Sequence, residues 1–318
     1  MFTSRTFEGR VLPRQDDDPE DQGLAFDVTT LLTRRKMLGV LGLGAGSAAL
    51  AACAPASTPA TSSSSAPAAT TSAAAVDTQN LVEMPTETNG PYPGDGTNGP
   101  DVLDMSGIAR KDLTTSLDTG NSVDGVPFTQ TITVVDMAGG NAPFAGAAVY
   151  IWHCDAQGRY SMYSDGVTGE SWLRGVQVAD ANGQVSFETI VPGCYEGRWP
   201  HIHFEVFSSI NDITDATTNV LTSQIAIPED VCQAVYADAR YASSVTPFSR
   251  ITLDSDNIFS DSIDLQMDSV TDQGDGYVGT IVVGVDTTTE QQMSMGGGPG
   301  GMGGMGGGPQ GGPGAPPS

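Results

Sequence analysis

The chain has 318 residues, a formal charge of −25 and 16% charged side chains. With 38 acidic against 13 basic residues it offers no basic surface to neutralise phosphates, which excludes a nucleic-acid partner. The length suffices for one large domain or two small ones with a core of ordinary size.

Residues 1–32 are mostly polar, contain the acidic run Asp16-Asp17-Asp18-Pro19-Glu20-Asp21, show little periodicity and are expected to be disordered. Thr33-Arg34-Arg35-Lys36 then opens onto an apolar, glycine-rich run from Met37 to Ala52. Paired arginines, a mildly hydrophobic stretch and small residues before Cys53 read as a twin-arginine export signal. The run is short of the about 20 residues that a membrane span needs. Leu50-Ala51-Ala52-Cys53 has the form of a bacterial lipobox, in which Cys53 carries the lipid. Residues 1–53 are thus expected to export the protein to the cell surface or beyond, with membrane contact only through an anchor at Cys53. Residues 54–76, an Ala/Ser/Thr/Pro tract, bury too little apolar surface to fold and read as a tether.

Residues 77–289 are expected to form the folded domain, as a succession of short strands. Thr129–Val135 places three threonines on one face and Ile132 and Val134 on the other, with Gln130 as the exception. Further strands are expected over 147–153, 185–190, 203–207, 223–227 and 277–285, separated by turn signals such as Asn141-Ala142-Pro143 and Gly274-Asp275-Gly276. Ala181-Asn182-Gly183-Gln184 before Val185 is a hairpin cue. Pro228-Glu229-Asp230 reads as the start of one short helix running to about Tyr241. Many short strands and few helices predict an all-β, antiparallel β-sandwich. Residues 290–318 are a Gly/Met/Pro-rich, low-complexity tail, expected to be disordered, whose Met293, Met295, Met302 and Met305 offer thioethers to Cu(I).

Two stretches carry the chemistry. In Arg198-Trp199-Pro200-His201-Ile202-His203-Phe204 the histidines are two apart, so a strand presents both imidazoles on one face. Imidazole alone suits zinc, copper, nickel or iron. Pro192-Gly193-Cys194-Tyr195 and Gly158-Arg159-Tyr160 add tyrosines, whose ionisation near neutral pH requires a strong, hard Lewis acid such as ferric iron.

The order W-H-x-D-A (Trp152–Ala156), G-R-Y ending at Tyr160, L-R-G-V-Q ending at Gln177, P-G-x-Y ending at Tyr195 and R-x-P-H-I-H-F (Arg198–Phe204) resembles the intradiol ring-cleavage dioxygenases. Upstream, Glu87-Thr88-Asn89-Gly90-Pro91-Tyr92 resembles that family's entry segment, and the resemblance covers about residues 85–285. It implies an immunoglobulin-like sandwich with long loops, and the secreted branch of the family. It implies Fe(III) held by Tyr160, Tyr195, His201 and His203, with Tyr195 the ligand that substrate displaces. The implied reaction joins a catechol-type aromatic and O2 to give a cis,cis-muconate-type diacid. By the same resemblance Arg198 stabilises charge developing on the ring, Gln177 lines the pocket and Tyr92 roofs it. The alternatives are a non-catalytic sandwich that binds a partner at the cell surface, and a copper or zinc protein that keeps only the two histidines.

Several residues compete with these assignments. His153 lies on the strand 149–153 and is read as a core or outer-shell histidine, and Tyr163 is the rival of Tyr160. Asp254-Ser255-Asp256-Asn257 starts like a calcium loop but lacks its central glycine and closing glutamate. Outside the reducing cytoplasm Cys154, Cys194 and Cys232 allow one disulfide in three pairings.

Overall fold

A computed structural model describes residues 80–289 and, near the N-terminus, the antiparallel pair Thr6–Phe7 (β1) and Arg10–Val11 (β2). Beyond those two dipeptides, the expectations for 1–53, 54–76 and 290–318, Cys53 included, fall outside the described residues. The chain divides into two units, 1–71 and 72–318, and the second carries all further elements.

That unit holds two sheets. One runs Ser269–Asp272 (β10), Tyr277–Val285 (β11), Pro127–Asp136 (β3) and Ala142–Pro143 (β4), with Gln184–Ile190 (β7) also paired to β3. The other runs Arg174–Val178 (β6), Ala148–Trp152 (β5), His201–Phe207 (β8) and Asn219–Ala226 (β9). A single apolar cluster fills the space between them: Phe128, Ile132 and Val134 of β3 and Val283 of β11 meet Val149 and Ile151 of β5 and Ile202, Phe204 and Val206 of β8. Each such side chain, fully buried, contributes about 1.5–3 kcal/mol relative to exposure. The period of two in β8 then sends His201, His203 and Glu205 to the opposite, outer face.

That outer face is covered by chain without regular strands that lies between Glu83 and Gly125; Ala109 bridges to Val176 of β6, while Glu83 at one end bridges to Gly284 of β11 in the other sheet. Val102, Leu103 and Ile108 of this cover pack with Tyr150 and Trp152 of β5, Val176 of β6, Tyr160 and Tyr195 in a second apolar cluster. The buried layer between sheet and cover is where the candidate centre lies.

The mostly β fold agrees with expectation, and several details correct it. The sheets are not purely antiparallel: β3 and β11 pair in parallel over nine positions, from Phe128 opposite Tyr277 to Asp136 opposite Val285. Asn182-Gly183 makes no hairpin, because β6 before it pairs with β5 while β7 after it pairs with β3. The turn instead crosses between sheets, with the Asp180 carboxylate accepting from the backbone N–H of Asn182 and Gln184 and with Gly183 at φ 74°. Gln130, the exception in its strand, is buried, and its carboxamide donates to Asp268.

The expected helix from Pro228 is only Glu229–Val235 (α1), and Asp238 caps a separate 3-10 turn, Ala239–Tyr241. Short helices also form at Val245–Phe248 and Ile263–Gln266, so the domain has more than the one expected. Among the described residues no helix is long and apolar enough to cross a membrane.

Candidate metal centre

Three pieces of chain deliver four side chains to one point. β8 supplies His201 and His203. Tyr160 ends the loop after β5, where the Asp155 carboxylate accepts from the backbone N–H of Gln157 and Arg159 and pairs with the Arg159 guanidinium. Tyr195 follows Pro192-Gly193-Cys194. These two loops touch backbone to backbone through glycines: the Gly193 N–H donates to Asp155 O at 3.1 Å. A Cβ on Gly193 would sit 2.5 Å from that same oxygen, and one on Gly158 (φ 81°) 2.9 Å from Cys194 O. Only glycine allows the approach that brings Tyr160 beside Tyr195.

The donor atoms converge closely. His201 Nε2 lies 3.1 Å from His203 Nε2, 3.4 Å from Tyr195 Oη and 3.5 Å from Tyr160 Oη, and the two phenol oxygens are 3.5 Å apart. Donors at about 2.0–2.1 Å from one ion in tetrahedral directions would be about 3.3–3.4 Å apart, and these four separations lie near that value. Among the described residues no three His, Cys, Asp or Glu side chains gather around one point; the cluster exists only when tyrosine oxygens are counted.

All four side chains are buried. Burial and the neighbouring Arg198 cation, joined for His203 by His201, hold both histidines well below the usual histidine range, in the neutral form that ligates metal. Burial likewise pushes both phenols up; the Arg198 charge pulls them down but does not outweigh desolvation. Without a bound cation both tyrosines therefore keep their protons, and a metal must displace two of them.

Outer contacts orient the set. His201 Nδ1 hydrogen-bonds the Trp199 carbonyl, which fixes its tautomer with Nε2 free to ligate. His203 instead stacks on Trp152, its cross-strand partner, at 4.8 Å and 4°. Tyr92 lies over the centre as expected of a roof, its ring 5.0 Å from that of Tyr160. Gly90 presses on His203, where a Cβ would fall 3.2 Å from its Cε1. Arg174, fully buried, holds this cover in place: its guanidinium donates to the carbonyls of Tyr92, Pro93 and Ser161 and to the Tyr150 hydroxyl.

Arg198 is buried with its guanidinium donating to Asp256 at 3.0 Å and to Gln224 Oε1 at 2.7 Å. It is thus both the cation beside the tyrosines and one half of a buried ion pair. Asp256, which the sequence offered only as a failed calcium loop, is its counter-charge and also accepts from the Trp199 N–H.

Gln177 does not join the centre. It pairs with Val149, a residue of the inter-sheet core, so it belongs to the other face of the sheet from His203. The glutamine on the correct face is Gln224, opposite His203 on β9, buried, and bonded to Arg198 and to Thr88 O. The sequence signal for it was weak. The strand over 223–227 was legible, but its register against β8 was not.

The competing residues resolve cleanly. His153 engages Cys154 O and Thr189 Oγ1, each at 2.8 Å, which uses both ring nitrogens in the core. The Tyr163 hydroxyl donates to Asn98 and accepts from the Gly94 N–H, away from the donor cluster. No disulfide forms among Cys154, Cys194 and Cys232; all three are buried thiols, and each Sγ faces a backbone carbonyl, of Gly193, Arg198 and Ile227 respectively.

A two-sheet β domain gathers two imidazoles and two phenols in a buried layer on the outer face of one sheet, a set of donors that a metal ion could use. Residues 97–244 match the family model described as Dioxygenase. Among solved structures, an intradiol ring-cleavage dioxygenase from Tetranychus urticae is 24% identical, with a TM-score of 0.52, over 67% of this chain and 98% of that one. The dioxygenase domain of a dioxygenase carbohydrate-binding protein fusion from Streptomyces sp. SirexAA-E is 25% identical, with a TM-score of 0.41, over 64% and 99%. Hydroxyquinol 1,2-dioxygenase from Pseudomonas putida DLL-E4 is 17% identical, with a TM-score of 0.41, over 66% and 68%. No curated protein matches the sequence. The matched segment, residues 97–244, resembles the dioxygenases, and the solved neighbours share its fold.

Proposed function

We propose that Tyr160, Tyr195, His201 and His203 hold ferric iron and that the protein uses O2 to open catechol-type rings between their two hydroxyls, giving muconate-type diacids. The observation that carries this reading is the mixed donor set in a buried layer: His201 Nε2 lies 3.1–3.5 Å from His203 Nε2 and from both phenol oxygens, which are themselves 3.5 Å apart. Zinc or copper would be served by the imidazoles alone; two phenols that desolvation keeps protonated call for a harder and stronger acid. Ferric iron, when bound, supplies that Lewis acidity and draws electron density from a chelated catecholate.

The protein's own groups do the rest. Tyr195 Oη would accept one of the catechol protons, while Tyr160 would go on holding the ion. Arg198, fixed by Asp256 and Gln224, supplies a preorganised positive charge for negative charge developing on the ring. Tyr92 and Gly90 cover the centre and limit water.

The test is the visible spectrum of the iron-loaded full chain. Tyrosinate bound to ferric iron gives a broad visible absorption; it should move to longer wavelength with catechol under anaerobic conditions and bleach when oxygen is admitted. Tyr160→Phe and Tyr195→Phe should each weaken or shift it. A protein that stays colourless after iron reconstitution would sink the reading.

A further inference from the structure

We infer that the cavity on the far side of the entry segment is a second, separate site, for a hard divalent cation of the calcium type, held by Glu205 and Asp95. The cavity measures about 210 Å³, and Glu205, Asp95, Asn89, Thr97, Asn219 and Thr222 contribute to its wall. It is large enough for one ion and several waters, each of which occupies about 30 Å³. No lysine or arginine lines it.

Glu205 is 1% exposed, and its Oε2 has no hydrogen-bond partner. The Thr222 hydroxyl reaches its Oε1 at 3.4 Å. The Asp95 and Glu205 side chains line the same cavity. Asp95 Oδ1 accepts from the Thr97 N–H and hydroxyl at 2.9 and 2.5 Å, and Oδ2 accepts from Asn89 Nδ2 at 3.4 Å.

Buried carboxylates sharing one cavity without a cation are costly, and an ion bound by them removes that cost. Carboxylate, hydroxyl and amide oxygens suit calcium, which takes 6–8 oxygens at about 2.3–2.6 Å in flexible geometry; magnesium demands a stricter octahedron. The donors differ in kind from the imidazoles and phenols of the first centre, so the two sites select different metals. Glu87 also lines the cavity and its buried Oε1 has no hydrogen-bond partner, so three carboxylates stand at the wall, and the affinity should fall in the range of extracellular modules, about 10⁻⁴–10⁻³ M.

The position gives the ion a structural role. Glu205 and Thr222 stand on β8 and β9, whereas Asn89, Asp95 and Thr97 belong to the cover. An ion shared between them fastens cover to sheet. Asn89 precedes Gly90, which lies on His203, so the fastened segment is the one that closes the first centre.

Terbium(III) is a direct probe on the full chain, because Tyr150 is the cross-strand partner of Glu205 and can sensitise its emission. The expected result is saturable emission that calcium displaces with half-effect at about 0.1–1 mM. Glu205→Gln and Asp95→Asn should each weaken it at least tenfold. Calcium should also raise the melting temperature of the wild-type chain, a readout that survives if either variant fails to fold. Absence of that rise overturns the site. So does emission of equal strength in wild type and both variants, which would come from acidic residues elsewhere. None of these readouts depends on iron or on ring cleavage.

Discussion

His201 and His203 are held by different forces, although the sequence presents them as a matched pair. A hydrogen bond to Trp199 O aligns the first; a parallel stack on Trp152 aligns the second, whose Nδ1 has no hydrogen-bond partner. Trp152 would therefore act on a bound metal only through His203, as a positioning residue. Trp152→Leu should cut iron retention about 10–100-fold, the usual effect of losing a partner behind a ligand, and Trp152→Phe should restore most of it. Iron-to-protein ratio after dialysis separates this from the loss of packing, which a melting curve reads; equal iron retention in Trp152→Leu and wild type would show that the stack is only core. At this scale the sequence was informative about donors and poor about their supports. H-x-H on a strand and two tyrosines after turns were legible from local pattern, whereas Asp256 and Gln224, far along the chain from Arg198, carried no local mark.

The loops that end in Tyr160 and Tyr195 form a unit whose geometry depends on two glycines. Gly193→Ala would drive a methyl group into Asp155 O and Ala156 O, and should separate the loops. The expected cost is about 1–3 kcal/mol of stability by overpacking, with loss of the visible absorption through displacement of Tyr195. Urea unfolding and the iron-loaded spectrum measure the two effects, and an unchanged spectrum would mean that the loops do not set the tyrosine geometry. Strand existence was legible where alternation or apolar content was strong, as in Tyr277–Val285, which matches expectation to the residue. β6 was not among the expected strands; Arg174 in it is buried because the cover folds back over it. The Asn182-Gly183 turn misled. A turn residue specifies a change of direction, not which sheet the next strand will join.

Across the whole molecule, buried acids outside the centre set a pH dependence. Burial pushes Asp268 up to about 7, and burial with repulsion from Asp261 pushes Glu87 up to about 8. The native state thus holds protons that the unfolded chain has released above its ordinary carboxylate range. Their contribution is complete below about pH 4 and is lost as pH rises through about 7–8. The iron-free chain should melt higher at pH 5 than at pH 7.5, and Asp268→Asn should flatten the slope by up to about 1.4 kcal/mol per pH unit. An Asp268→Asn slope equal to that of wild type would remove Asp268 as the source.

The sequence by itself determined the composition classes excluded, the mostly β character and the chemical nature of the candidate donors, because these follow from residue types and from periods of two within single segments. Only the tertiary structure decided the parallel pairing of β3 with β11, the replacement of Gln177 by Gln224 at the centre and the unpaired thiols. It alone brought Glu205 into a cavity with Asp95. Each of these depends on register between segments far apart in the chain, where a one-residue shift turns a side chain to the other face of the sheet.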